Sequence, residues 1–140
     1  MIAPLRTEAD LDRLLSGPQP VMIFKHSTRC PISAAAYRAF RRFAASRPGV
    51  ARYGVVHVIE QRALSDAIAR RLGVRHASPQ VLLWHRGRVR WHASHGAIHE
   101  AALAAALAGV AQAKRTGPRP AVSPAPSPAV SPKGRPRRTT

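Results

Sequence analysis

The chain has 140 residues and a formal net charge of +17, from 23 Lys and Arg against 6 Asp and Glu, with 7 His and a single Cys. That length holds one small domain at most, one cysteine rules out an internal disulfide, and the longest uncharged run, residues 101–113, is shorter than the roughly 18 residues that a membrane span needs. Residues 1–8 lack a basic stretch followed by an apolar core, so no secretory signal is expected and the expected localisation is cytoplasmic, with no membrane partner.

The charge is unevenly placed. Residues 114–140 hold seven basic residues, no acidic one, seven of the thirteen prolines and no aromatic. Such a stretch buries too little apolar surface to offset the entropy of ordering, so a disordered basic tail is expected beyond a domain over 1–113. Within it Ala121-Val122-Ser123-Pro124 recurs as Ala129-Val130-Ser131-Pro132, a low-complexity Pro/Ser/Ala pattern of extended chain rather than a solenoid. Residues 1–113 still carry 16 basic against 6 acidic residues, a net of +10, which attracts polyanions at low salt. Since 20 of the 23 cations are Arg in an Ala-rich chain, a GC-rich genome alone accounts for the excess, and nucleic-acid binding is not the leading reading.

Along the chain, Thr7-Glu8-Ala9-Asp10 reads as a helix start, with Thr7 as cap and Asp10 at the third position, where a carboxylate complements the helix dipole. Leu11, Leu14 and Leu15 form that helix's apolar face, and Ser16-Gly17-Pro18 stops it. Val21-Met22-Ile23-Phe24 is a short apolar run between turn residues, expected to be a buried central strand. Over 32–46, Ile32, Ala36, Phe40 and Phe43 recur at helical spacing, Arg38, Arg41 and Arg42 supply a wet face, and Pro31 suits the first turn. Pro48-Gly49 breaks this helix, and the β-branched stretch 53–59 predicts a second strand. Ser65-Asp66 reads as the next helix start, with Ala67, Ile68, Ala69 and Leu72 lining it and Gly73 ending it. A third strand is expected over 80–85, joined through Arg86-Gly87-Arg88 to a fourth over 89–93 as an antiparallel hairpin, and a last helix covers about 97–111. Each β-α-β crossover implies parallel pairing. The fold class is therefore α/β, a thioredoxin-like three-layer sandwich with a mixed four-stranded sheet, flanking helices and an extra N-terminal helix.

Cys30 falls where the first central strand ends and a helix begins. A sulfur there faces orphan backbone N–H groups and the positive end of the helix dipole, with Arg29, His26 and Lys25 adding positive charge nearby, and all of these favour thiolate over thiol. The competing reading is an inert Cys, since free Cys is among the most buried residue types; the strand-Cys-Pro-helix context argues against it. Dithiol redox sites have Cys-x-x-Cys, whereas this chain reads Cys30-Pro31-Ile32-Ser33 and has no other thiol. The remaining covalent redox chemistry is monothiol exchange: Cys30 attacks a disulfide, keeps one half as a mixed disulfide and waits for an outside thiol. Ser33 is either a hydrogen-bond donor to the sulfur or a residue that only caps backbone. Ser78-Pro79-Gln80, ahead of the third strand, stands where thioredoxin-like proteins carry a cis-proline beside the active Cys, with a backbone edge free for substrate.

Phe24-Lys25-His26-Ser27-Thr28-Arg29-Cys30-Pro31-Ile32-Ser33, with His76-x-Ser78-Pro79-Gln80-Val81 and Ala93-Ser94-His95, resembles the YtxJ-type proteins, monothiol bacilliredoxins of the bacillithiol system, over about residues 4–108. The resemblance implies a thioredoxin-like fold and an oxidoreductase that removes bacillithiol from S-bacillithiolated proteins, with no bound cofactor and bacillithiol as thiol co-substrate. Carried over by motif, Cys30 is the nucleophile, Pro79 the cis-proline, and Ser33 stands for a resolving Cys. Bacillithiol carries a malate and a glucosamine, so Lys25, His26, Arg29, Pro31, Arg75 and Ser78, with His76, are the candidate substrate-binding residues around the thiol. Its partners would be S-bacillithiolated proteins, bacillithiol itself and a reductase that regenerates Cys30. Ala77 stands where relatives are expected to have an acidic residue, and the tail lies outside the family pattern.

Other readings compete. His92, His95 and His99 have helical spacing suited to a metal, but His92 falls on a predicted strand, and no metal site is expected. Monothiol glutaredoxins hold an iron–sulfur cluster between subunits and typically carry Gly after the Cys, where this chain has Pro31. A third reading is a non-catalytic thioredoxin-fold binding module whose basic tail docks weakly on polyanions. With six acidic residues, no phosphate loop and no paired carboxylates or Ser/His/Asp set, hydrolase schemes are set aside.

Overall fold

The computed structural model describes residues 1–115, and the tail expected over 114–140 lies outside the described residues from position 116 onward. The elements are β1 (Ile2–Pro4), α1 (Glu8–Leu15), β2 (Val21–His26), α2 (Pro31–Ser46), β3 (Arg52–His57), α3 (Arg62–Leu72), β4 (Gln80–His85), β5 (Arg88–Ser94), a short 3₁₀ turn (His95–Ala97) and α4 (Glu100–Arg115). They build a five-stranded mixed sheet in the order β1-β3-β2-β4-β5, parallel between β1, β3 and β2 and antiparallel from β2 through β4 to β5.

The expected sheet had four strands; the fifth is β1. It has three residues, too few for any periodic pattern, and its place is set by long-range pairing of Ile2, Ala3 and Pro4 with Tyr53, Gly54 and Val55. Leu5 continues the contact, donating its N–H to the Val55 carbonyl at 2.8 Å. The helix expected from Ser65 begins at Arg62, because Ser65 is not a cap: it is buried inside α3 and turned toward His76. The last helix begins at Glu100, its start preceded by the 3₁₀ turn.

α1 is capped as its sequence predicts, with Thr7 Oγ1 accepting from the Asp10 N–H and the Asp10 carboxylate accepting from the Thr7 N–H, a reciprocal capping box. The β4–β5 hairpin turns at Arg86 and Gly87, both with positive φ (53° and 85°), the geometry of a primed turn whose twist matches the strands.

Side chains alternate across the sheet and define two cores. Met22, Phe24, Tyr53, Val55, Val81 and Leu83 pack against Phe40 and Phe43 of α2 and Leu103 and Leu107 of α4. Val21, Ile23, Val56 and Leu82 pack against Leu11 and Leu14 of α1 and Leu64 and Ile68 of α3. β2 lies at the centre and is buried along its whole length.

Gly54 of β3 has no side chain because Leu14 and Leu5 lie against it: an added Cβ would stand 2.6 Å from Leu14 Cδ2 and 3.2 Å from Leu5 Cδ1. Both leucines are themselves buried and have little room to yield. Gly54→Ala is expected to destabilise by about 1–3 kcal/mol through overpacking, read as a lower midpoint in denaturant unfolding with an unchanged slope; equal stability would mean that α1 shifts freely.

Candidate functional site

Cys30 is the N-cap residue of α2, in extended conformation (φ −116°, ψ 119°), with Pro31 at the first helical position. A turn closed by the Cys30 N–H on the Ser27 carbonyl at 3.3 Å sets the cysteine back against the end of β2. Its side chain makes no capping bond, the first turn of α2 has no acidic residue, and Cys30 is half-buried. The sulfur therefore occupies the position where a helix offers orphan amides and positive dipole to an anion.

Ser33, one turn further, is fully buried. Its hydroxyl accepts from the Ser27 N–H at 2.9 Å and lies 2.7 Å from His26 Nδ1. The amide can only donate, so the hydroxyl accepts from Ser27 and meets Nδ1 either as donor or through its second lone pair. Ser33 is thus hydrogen-bonded inward, and among the described residues it makes no bond to Cys30 of the kind the sequence allowed. His26 stacks on Tyr37 with ring centroids 4.5 Å apart and stands 5.6 Å from His57. Burial first, and then the neighbouring His57, push His26 below the ordinary histidine value, with Glu60 opposing.

The second wall of the site is the loop before β4. The Ser78–Pro79 bond is cis, and Pro79 is buried with its carbonyl accepting from the His95 N–H at 3.1 Å. His95, at φ +55°, holds a left-handed conformation uncommon for a residue with a side chain. Gln80 Nε2 donates to the Arg75 carbonyl at 3.0 Å. Arg29, Pro31, Arg75 and His76 are exposed, whereas Ser78 is half-buried with its hydroxyl oxygen enclosed and without a partner.

Lys25 differs from the sequence picture of a surface cation. It is 0 % exposed, points to the α3 side of the sheet, and places Nζ 3.2 Å from His76 Nδ1, which also lies 3.3 Å from Ser65 Oγ. Burial pushes the Lys25 ammonium down to about 8, opposed by Asp66. Burial and then the Lys25 charge also push His76 below its ordinary value, so His76 is neutral by the pH at which Lys25 titrates. Lys25 and His26 are adjacent but face opposite layers, and no local pattern marks either set of partners. Their one legible signal was a Lys and a His continuing an apolar run that reads as buried.

His92 sits on β5, His95 in the 3₁₀ turn, and His99 accepts from the Ala102 N–H at the start of α4; among the described residues no three metal-ligating side chains converge. A cleft of about 590 Å³ between β1 and α2, lined by Ile2, Tyr37, Arg38, Arg41 and Ala45 among others, does not include Cys30. No described helix is long and apolar enough to cross a membrane.

A cysteine at a helix N-cap and a cis-proline loop at the same end of a mixed sheet are the architecture of thioredoxin-like proteins, and this chain has that fold. Its sequence matches the family profile of the monothiol bacilliredoxin BrxC over residues 3–103, and the chain belongs to that family. A solved candidate oxidoreductase with a thioredoxin fold is 33% identical, with a TM-score of 0.70, the match covering 75% of this chain and 92% of that one. The thioredoxin of Malassezia sympodialis (19% identity, TM-score 0.63, 78% and 90% covered) and that of Trypanosoma brucei brucei (10%, 0.67, 80% and 92%) share the fold. The role is thiol redox chemistry within the bacillithiol system.

Because Lys25 titrates near 8 folded and near 10.5 unfolded, the unfolded chain binds a proton that the native state lacks between those values. Stability contributed through Lys25 therefore rises with pH across that window, and below pH 8 the full penalty is present. The stability of wild type relative to Lys25→Met should rise by about 3 kcal/mol from pH 8 to 10.5, measured by urea unfolding. Tyr37 and Tyr53, which burial pushes up, cancel in that difference. A pH-independent difference would show that the buried amine does not carry the shift.

Proposed function

We propose that this protein removes bacillithiol from S-bacillithiolated proteins by monothiol exchange through Cys30. The observation that carries the reading is the chain's single cysteine at the N-cap of α2, with buried Ser33 in place of a second thiol one turn on. Cys30 thiolate attacks the bacillithiol sulfur of the mixed disulfide; the new bond joins Cys30 to bacillithiol, the old bond breaks, and the substrate thiolate leaves and takes a proton from solvent. A second thiol, bacillithiol or that of a reductase, then attacks the Cys30 mixed disulfide and frees Cys30. Since no internal thiol competes, the mixed disulfide persists until that outside thiol arrives.

The remaining site residues have roles in this scheme. Pro79 and the backbone ahead of it receive the substrate chain, and Ser33 holds the first turn of α2 through His26 and Ser27. Pro31 follows the thiol at the first position of α2, and Ser78 precedes the cis-proline. Arg29 and Arg75, both exposed, and the outward edge of His76 are the groups available to the bacillithiol carboxylates, while Lys25 and His26 act from inside the fold. No cofactor is bound in this scheme, bacillithiol is the co-substrate, and a reducing compartment such as the cytoplasm keeps the lone thiol free.

Intact-mass analysis of wild type and Cys30→Ser, each mixed with a bacillithiolated model protein, tests the reading. Wild type alone is expected to gain one bacillithiol; transfer to neither protein would overturn the assignment. Arg29→Ala is expected to slow transfer by about tenfold at low salt, as one charge-assisted contact is lost, with little change in melting temperature; an unchanged rate would remove Arg29 from the binding surface.

A further inference from the structure

The loop over 75–79 is anchored only from within. Arg75 offers its carbonyl to Gln80, His76 offers Nδ1 to Lys25 and Ser65, and Pro79 offers its carbonyl to His95. The main chain of Ala77 and Ser78 makes no hydrogen bond among the described residues, which leaves it available to a strand of another polypeptide.

Lys25 is the unusual member of these anchors. A fully buried ammonium has three N–H donors, and here one of them has a hydrogen-bonded partner, His76. Opposite Lys25 in the β2–β4 register is Gln80, 3 % exposed, whose Oε1 has no hydrogen-bond partner. Neighbouring positions on the same face of β2, Val21 and Ile23, are apolar and pack against α1 and α3. An apolar residue at 25 would extend that core without desolvating a charge, so the lysine is not what packing selects.

We propose that Lys25 is a positioning residue for the exchange reaction: from inside the sheet its ammonium holds His76, and through His76 the substrate-receiving backbone of Ala77 and Ser78. The inference rests on the thiol-exchange reading above. Because an ammonium has donors only, His76 Nδ1 accepts and its Nε2 carries the proton. The imidazole is thereby fixed as a neutral hydrogen-bond donor at Nε2. Removing Lys25 releases both constraints, the orientation of the ring and the position of the loop, while Cys30 keeps its place at the start of α2.

The test compares wild type, Lys25→Met and His76→Ala in three reactions: alkylation of Cys30 by iodoacetamide, exchange with a peptide disulfide-linked to cysteine, and exchange with the same peptide linked to bacillithiol. Rate is followed against peptide concentration. Lys25→Met should need between about tenfold and a hundredfold more peptide for half-maximal rate, with the limiting rate and the alkylation rate each changed less than about twofold, and His76→Ala should raise the peptide requirement at least as much. Unchanged peptide curves would overturn the proposal. A parallel fall in alkylation and exchange would overturn it as well, because Lys25 would then act on the thiol itself. If Lys25→Met fails to fold, His76→Ala and Ser65→Ala decide the matter by the same readouts. Wild type that exchanges with the cysteinyl peptide but not with the bacillithiolated one would sink the bacillithiol assignment and leave the Lys25 comparison standing.

Discussion

The site depends on one constraint: β2 is the central strand, covered on both faces, and its last two residues are polar. Strand alternation sends Lys25 to the α3 side and His26 to the α2 side, so each enters a packed layer. Each must be satisfied by a group from the layer it enters. His26 takes the Ser33 hydroxyl from the first turn of α2, and Lys25 takes His76 from the loop that carries cis-Pro79. The two walls of the thiol site, the helix that begins at Cys30 and the proline loop, are thereby each hydrogen-bonded to neighbouring residues of one strand.

That coupling explains how a monothiol site keeps its shape. In the position one turn after the nucleophile, a second thiol would face Cys30 and compete for the mixed disulfide. Ser33 cannot form a disulfide, and its hydroxyl is committed inward to His26 and the Ser27 amide, where it ties the turn before the helix to the helix itself. Ser33 thus has a structural role: through His26 and Ser27 it holds the first turn of α2 to the end of β2.

Much of this was legible in the sequence, and the parts that were not share a physical reason. The order of elements followed from hydrophobic period and from Gly and Pro punctuation, and Cys-Pro at a strand-to-helix junction placed the nucleophile. Local signals do not carry long-range partners. β1 is held by pairing with β3 some fifty residues away, Lys25 meets His76 across 51 positions, and Ser65 looked like a helix cap because Ser-Asp ordinarily is one. Arg29 and Lys25 were indistinguishable as cations near a cysteine. What separates them is place in the fold: Lys25 is inside the central strand and fully buried, whereas Arg29 lies in the turn before α2 and is exposed.

The distribution of carboxylates completes the electrostatic setting. Of six acidic residues, five are paired with arginines: Asp10 with Arg13, Asp66 with Arg62, Glu8 and Asp12 with Arg71, and Glu100 with Arg42. Arg71 ties α3 to α1, and Arg42 ties α2 to α4. Exposed pairs of this kind each contribute little to stability, but their placement has a second effect. It leaves the first turn of α2 without an acidic residue, while Asp66 acts on Lys25 and the sixth carboxylate, Glu60, acts on His26. The negative charge near the site thus falls on the buried Lys25 and His26 rather than on the helix start, whose first turn has no acidic side chain of its own to oppose the positive end of its dipole.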